Sequence, residues 1–263
     1  MSNIHNFYIQ KNIDKNSQIV ANKLTNYLLK HHWKLNSKNY EYLFVIGGDG
    51  TYVRFLRNCY NKPIKIVCIN SGTIGFYAKF NQTQINSILK EVLNPNNFIH
   101  PQLLQINIDN QKIYNAMNEV VVQSLNTVKL DVYINKTLYE NYMGTGILVS
   151  TRTGATGQAK SNGGAIIMPN VDVMELVELS PTNHTKHLSF NSPLIVNGTD
   201  TTITLNNFKS AQRCDLIIDG MRVMTIKPNQ NISITKVNSI FSLCFNCDLK
   251  NYIDKLQKTF IKQ

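Results

Sequence analysis

The chain has 263 residues, 43% of them hydrophobic, enough for a sizeable core in one large domain or two modest ones. The formal charge of +11 raises the question of nucleic acid. The basic residues are scattered without a run of like charges, so no nucleic-acid partner is expected; a basic field favours anionic substrates such as nucleotides. No stretch approaches the roughly 18 apolar residues of a membrane span, and residues 1–7 lack the basic-then-apolar layout of a signal peptide. The expectation is a cytoplasmic protein with no membrane partner, whose five cysteines are reduced thiols. Cys244 and Cys247 have C-x-x-C spacing, but no second pair completes a zinc site; a packed strand explains them.

In chain order, residues 7–10 read as a short strand. Ile19, Val20, Leu24, Tyr27 and Leu28 then recur at helical spacing, predicting an amphipathic helix that ends near His31. Residues 42–46 form a continuous apolar run that breaks into glycines, as a buried parallel strand should. A helix from Thr51 to about Cys59 follows, then a buried strand over 64–69. Asn81 is placed to cap a helix over 85–92, with Gln84 in the capping-box position. Strands alternating with helices argue for a three-layer α/β domain.

From Gln102 onward the character changes to short alternating or β-branched runs, at 104–108, 119–123, 129–134, 147–151, 192–196, 201–205, 215–218 and 231–235. Turn signals such as Asp109-Asn110 and Asp219-Gly220 separate them. The fold class expected is therefore an α/β N-terminal domain followed by a β-rich, β-sandwich-like C-terminal domain. Its boundaries are expected at 1–98 and 99–238, with a segment at 239–263, helical from Asn251, packing back on the first domain.

The strongest chemical signal is Gly47-Gly48-Asp49-Gly50-Thr51, directly after a buried strand and before a helix. Glycines there permit positive φ and close approach to a phosphate, and the helix start adds N–H donors and partial positive charge. Asp49 could accept a proton from a hydroxyl, or help hold a metal that bridges phosphates. Taken alone, the pentapeptide also fits a tight turn with a helix-capping Asp.

Four further segments choose among the readings. They are Asn70-Ser-Gly-Thr-Ile-Gly-Phe76, Asn118-Glu119-Val-Val-Val, the stretch from Ser150 through Thr153-Gly154-Ala155-Thr156 to Gly164, and Asp219-Gly220. With the 47–51 loop they resemble, in order and spacing, the motif series of the NAD kinases. The resemblance covers about Tyr42 to Met221. The loop alone is shared with diacylglycerol-type lipid kinases, which leave the 153–164 segment unexplained.

The resemblance implies phosphorylation of the adenosine ribose 2′-hydroxyl of NAD to give NADP. It implies a two-domain fold with the active site between the domains, and homodimers or homotetramers. ATP or polyphosphate would be the donor, with Mg²⁺ or another divalent cation, held mainly by donor phosphates and waters, as cofactor. It assigns Asp49 as base. Gly50, Thr51, Phe76, Asn118, Glu119, Thr145, Thr153, Thr156, Gly157, Gln158, Ser161 and Asp219 fall on the NAD-binding side, and no residue is assigned as a metal ligand. Gly47, Gly48 and Arg54 are expected to cradle the donor, with Lys160 a further candidate.

The chain departs from the family pattern at three places. Arg152 replaces the proline of T-P-T-G, Gly157-Gln158 replaces an A-Y step, and Gly144-Thr145-Gly146 replaces G-D-G. These bear on substrate affinity and selectivity more than on the reaction, and Arg152 is expected to attract a phosphate. A non-catalytic dinucleotide sensor is the competing reading; retention of Asp49 argues against it.

Overall fold

The computed structural model describes residues 4–72, 75–183, 188–209, 213–245 and 248–261. Its first strand, Asn6–Lys11, pairs in parallel with Tyr42–Gly47, which is buried at every position as a strand covered on both faces requires. Parallel pairing continues to Lys65–Asn70 and on to Ser242–Cys244, which puts Cys244 in a packed strand as expected. Phe98–Ile99 and Lys34–Leu35 lie at the two edges, and Phe80–Asn81 pairs beside Lys65–Asn70. The last part of the chain therefore belongs to the first sheet. One compact unit comprises Met1–Pro101 with Ser239–Gln263, the other Gln102–Asn238.

Helix α1 (Lys15–Lys30) begins at Asp14, whose carboxylate accepts from the Ser17 amide at 2.8 Å and the Ser17 hydroxyl at 2.7 Å. Val20, Ala21, Leu24 and Leu28 are buried against Phe7, Phe44 and Ile69. Ile19, expected on this face, is 42% exposed. The 3.6-residue period puts Ser17 on the buried stripe instead, where its hydroxyl meets that of Ser71 at 2.8 Å.

Helix α2 (Asp49–Leu56) starts two residues before its expected position at Thr51, because Gly48 adopts the extended N-cap conformation at φ −103°, ψ 179°. The Asn81–Gln84 pair forms as expected: Gln84 Oε1 accepts from the Asn81 amide at 2.9 Å, and Asn81 Oδ1 from the Thr83 amide at 2.9 Å. What it introduces is a 3₁₀ turn over Ile85–Ser87, followed by the short α3 (Ile88–Val92).

The second unit is an antiparallel ten-stranded sheet among the described residues. Its spine is a long hairpin of Glu119–Ile134 with Thr137–Thr151. The two strands expected at 119–123 and 129–134 are one strand with a bulge, since Gln123 pairs with Gly146 and Val128 with Gly144. Leu125, inside that bulge, is 99% exposed. Lys112–Ala116, Val173–Leu179 and Met221–Ile226 are strands the sequence reading lacked. In the second, Glu175 and Glu178 are both buried and break the apolar pattern. One core cluster joins Leu104 with Met174, from strands far apart in the sheet order, so the sheet curls over its own apolar face.

The turn at Asp109-Asn110 takes left-handed φ of 52° and 56°, as its residue types allow. The sheet is followed in sequence by α5 (Leu249–Phe260); the short α4 (Gln158–Ser161) precedes it within the second unit. Four cysteines are buried free thiols, and burial pushes that of Cys244 up to about 12. Cys247, and with it the C-x-x-C spacing, lies outside the described residues. No described helix is long and apolar enough to cross a membrane.

Candidate active site

In the first unit, the parallel strand Tyr42–Gly47 ends at the loop that starts α2. The expected use of left-handed backbone holds for neither Gly48 nor Gly50. Gly47 is required for a different reason: a Cβ there would stand 2.7 Å from Thr51 Cβ. At Gly48 and Gly50 a Cβ would meet nothing within 4 Å, so this face of the turn is open to a ligand. Tyr52, fully buried beneath, donates its hydroxyl to Gly47 O at 2.6 Å and fixes the strand end.

Asp49 occupies the first turn of α2, where the helix dipole favours a carboxylate. Its oxygens accept from two consecutive backbone amides, Phe76 N at 2.9 Å and Tyr77 N at 3.2 Å. Burial raises its proton affinity above the ordinary carboxylate value, and the two amides and the Lys255 ammonium only partly oppose this. Phe76 itself turns its ring onto α5, with ring centroids 6.1 Å from Tyr252 and 6.2 Å from Phe260. A cavity of about 460 Å³ is lined by Asn70, Gly75, Lys79, Asn81 and Lys255 among others; Asp49 does not line it, although a Cβ on Gly75 would stand 3.4 Å from Asp49 Oδ1. Arg54 is not drawn into this group; it is exposed, with its guanidinium 4.9 Å from the Phe55 ring centroid.

The second unit brings together most of its expected set. Asp219, at φ 47° in the turn with Gly220, accepts from the amides of Met117 at 2.9 Å, Asn118 at 2.7 Å and Glu119 at 3.2 Å. The Thr151 hydroxyl donates to Met117 O at 2.7 Å and lies 2.9 Å from the Thr153 hydroxyl. Gly154 packs directly on Asn118, since a Cβ would stand 2.2 Å from Asn118 O. Gly157 faces Glu119, whose Oε2 would be 3.8 Å from a Cβ there. Thr156 and Ser161 close the following turns with long bonds to Thr153 O at 3.4 Å and Gly157 O at 3.5 Å. Gln158 and Lys160 sit on α4.

Thr145 stands apart from that group, opposite the hairpin bulge, with its hydroxyl on Leu179 O at 2.9 Å. The Tyr142 hydroxyl bridges Leu179 O at 2.6 Å and the Gly146 amide at 3.0 Å. A Cβ on Gly144 would strike that hydroxyl at 2.0 Å, so the glycines flanking Thr145 are structural.

The sequence reading missed three supports. Glu175 is fully buried, accepts from the Ala165 amide and the Ser150 hydroxyl, and so ties both ends of the 150–165 segment. Tyr52 and Lys255 are the others. A buried charge in an apolar strand was the available signal for Glu175; Lys255 had none, lying in a helix of ordinary composition.

Two family models match in succession, the ATP-NAD kinase N-terminal domain over residues 7–98 and the ATP-NAD kinase C-terminal domain over 114–244. An NAD kinase of Mycoplasma genitalium is 35% identical over 233 residues, covering 88% of this chain and 90% of that one. One of Ureaplasma parvum serovar 3 is 34% identical over 227 residues, covering 86% and 83%. The chain belongs to the NAD kinase family. Solved structures of the same fold include yeast NADH kinase complexed with NADH, at TM-score 0.83 and 17% identity over 100% of this chain and 90% of that one. An NAD kinase from Archaeoglobus fulgidus in complex with ATP has TM-score 0.78 and 18% identity, over 96% and 98%. The α/β first part and the β-rich second part expected from the sequence are those of NAD kinases. As a member of this family the protein is a phosphotransferase.

Proposed function

We propose that this protein transfers the terminal phosphoryl group of ATP, or of polyphosphate, to the adenosine ribose 2′-hydroxyl of NAD, with Asp49 as the base. The observation that carries the assignment is the Asp49 carboxylate itself, aimed by two amides and made more basic by burial. A ribose hydroxyl is far less acidic than a carboxylic acid, so the proton passes to Asp49 late, as the loose transition state collapses. Raised proton affinity helps that step. What remains is positioning and charge neutralisation.

The open face at Gly48 and Gly50, with the first-turn amides of α2, suits the donor phosphates. Arg54 contributes charge from further along that helix. On the nucleoside side, Asn118 and Glu119 offer donor and acceptor atoms at positions fixed by Asp219. Thr153, Thr156, Gly157, Gln158 and Ser161 continue that surface, Thr145 reads the far end of the dinucleotide, and Gly50, Thr51 and Phe76 shape the pocket around Asp49. No three His, Cys, Asp or Glu side chains converge on a metal-sized site among the described residues. In this reading a divalent cation such as Mg²⁺ would be held mainly by donor phosphates and water, where it would neutralise phosphate charge. The same reading takes the protein as a cytoplasmic homo-oligomer, to be checked by light scattering.

The test is NADP formation from NAD, ATP and Mg²⁺ by wild-type protein and by Asp49→Asn, with thermal melts of both. Wild-type turnover should fall by roughly 10²- to 10⁴-fold in the variant without loss of folding. NAD binding without NADP formation, from either ATP or polyphosphate, would replace this reading with that of a dinucleotide sensor.

A further inference from the structure

We propose that Lys255, on α5, is a positioning residue for the reaction: it grips the Phe76–Ala78 segment whose backbone amides aim the Asp49 carboxylate. The Lys255 ammonium donates to Phe76 O at 3.1 Å and to Ala78 O at 2.9 Å. The Phe76 carbonyl and the Tyr77 amide belong to one peptide unit. At its oxygen end that unit accepts from Lys255; at its N–H end it donates to Asp49 Oδ1 at 3.2 Å. A cation and an anion thus hold opposite ends of a single peptide dipole. Each polarises the unit toward the other, so the N–H presented to Asp49 is a stronger donor than an isolated amide.

Three features separate this from simple helix docking. The Phe76 ring packs on Tyr252 and Phe260, so α5 has an apolar attachment to the same segment without the ammonium. Burial disfavours the charged form of Lys255, and attraction to Asp49 opposes this; an ammonium serving only as glue would be replaceable by a neutral donor. The other titratable groups facing Asp49 are Tyr52 on α2 and Cys68 on Lys65–Asn70, and burial holds both neutral through the working range. Among the described residues, Lys255 is therefore the cation that acts on the Asp49 carboxylate. It lies beyond both segments matched by the family models.

The inference rests on Asp49 being the base, and the test has an arm that does not depend on turnover. The carboxyl carbon of Asp49 would be titrated by ¹³C NMR in wild type, Lys255→Met and Lys255→Arg, and kcat and KM for NAD followed against pH in the same proteins. With the ammonium removed, the Asp49 midpoint and the acid limb of kcat should both move to higher pH. At the optimum kcat should fall roughly 10- to 100-fold with KM within about 2-fold, and Lys255→Arg should restore all three. Lys255→Gln, which keeps a donor without the charge, is expected to behave as Met does and serves if Met disturbs folding. An Asp49 midpoint that does not move in a folded neutral variant, or a loss confined to KM, overturns the proposal. A wild type that makes no NADP while its Asp49 midpoint still responds to Lys255 would instead sink the kinase reading and leave the coupling intact.

Discussion

Each unit contains an aspartate whose carboxylate accepts consecutive backbone amides, and the two are put to opposite uses. Asp219 spends its oxygens on three amides, those of Met117, Asn118 and Glu119, and so fixes the backbone that carries the proposed nucleoside-binding side chains of Asn118 and Glu119. Asp49 receives two amides, from Phe76 and Tyr77, and is the base of the proposed reaction. The contrast lies in what surrounds the carboxylate. Amide donors stabilise the charged form and desolvation penalises it; at Asp49 burial wins, which leaves a carboxylate ready to take a proton. The Asp219 carboxylate holds a turn, whereas the Asp49 carboxylate, whose proton affinity burial raises, is the proposed base.

The largest effect expected from this contrast is the loss of turnover in Asp49→Asn, with folding retained. Asp219→Ala should do the reverse. Three partly buried amides lose their acceptor, so stability should drop by at least about 2 kcal/mol, and KM for NAD should rise well before kcat changes; denaturant melts and steady-state kinetics separate the two. A variant with normal KM would show that Asn118 and Glu119 are positioned by other means. Next in size, Gly154→Ala forces a Cβ onto Asn118 O, which stands 2.2 Å away. Overpacking there should cost about 1–3 kcal/mol and weaken NAD binding in calorimetry with Asp49 untouched.

The smallest effect concerns a third carboxylate, Glu178, which has an amide on one oxygen and no partner on the other. Burial, then the neighbouring Glu140 charge, pushes it up to about 7. Its proton is bound in the folded state across the window from the ordinary value of 4.5 to about 7, so stability should fall as pH rises through that window. Glu178→Gln should remove this loss, raising Tm at pH 8 by about 2–4 °C for each kcal/mol recovered and leaving it unchanged at pH 4. A flat wild-type stability profile over this range would remove the under-satisfied carboxylate as a source of the effect.

Much of this was legible in the residues. The apolar run ending in Gly47-Gly48-Asp49 announces a buried strand feeding a helix start, because a short continuous apolar run that breaks into glycines has few other uses. The Asn118–Glu119, Thr153–Thr156 and Asp219–Gly220 segments were grouped by their resemblance to the motif series of NAD kinases, and the fold packs them side by side. Other features lay beyond local pattern. Ser17 takes a helix face that apolar spacing assigned to Ile19, since a buried hydroxyl is tolerated once Asp14 and Ser71 satisfy it. The strand Val173–Leu179 was hidden by two buried glutamates whose partners lie elsewhere in the sequence.

The sequence by itself determined the chemistry, an aspartate at a glycine-lined helix start, and the order of elements that carries it, because backbone preference and apolar period are local properties. Tertiary structure alone decided how basic that aspartate is and what holds it. The Phe76 and Tyr77 amides lie 27 and 28 positions away from it, and Lys255 arrives on a segment returned to the first sheet by Ser242–Cys244. Desolvation and dipole alignment depend on distances between such remote segments, and no local pattern encodes them.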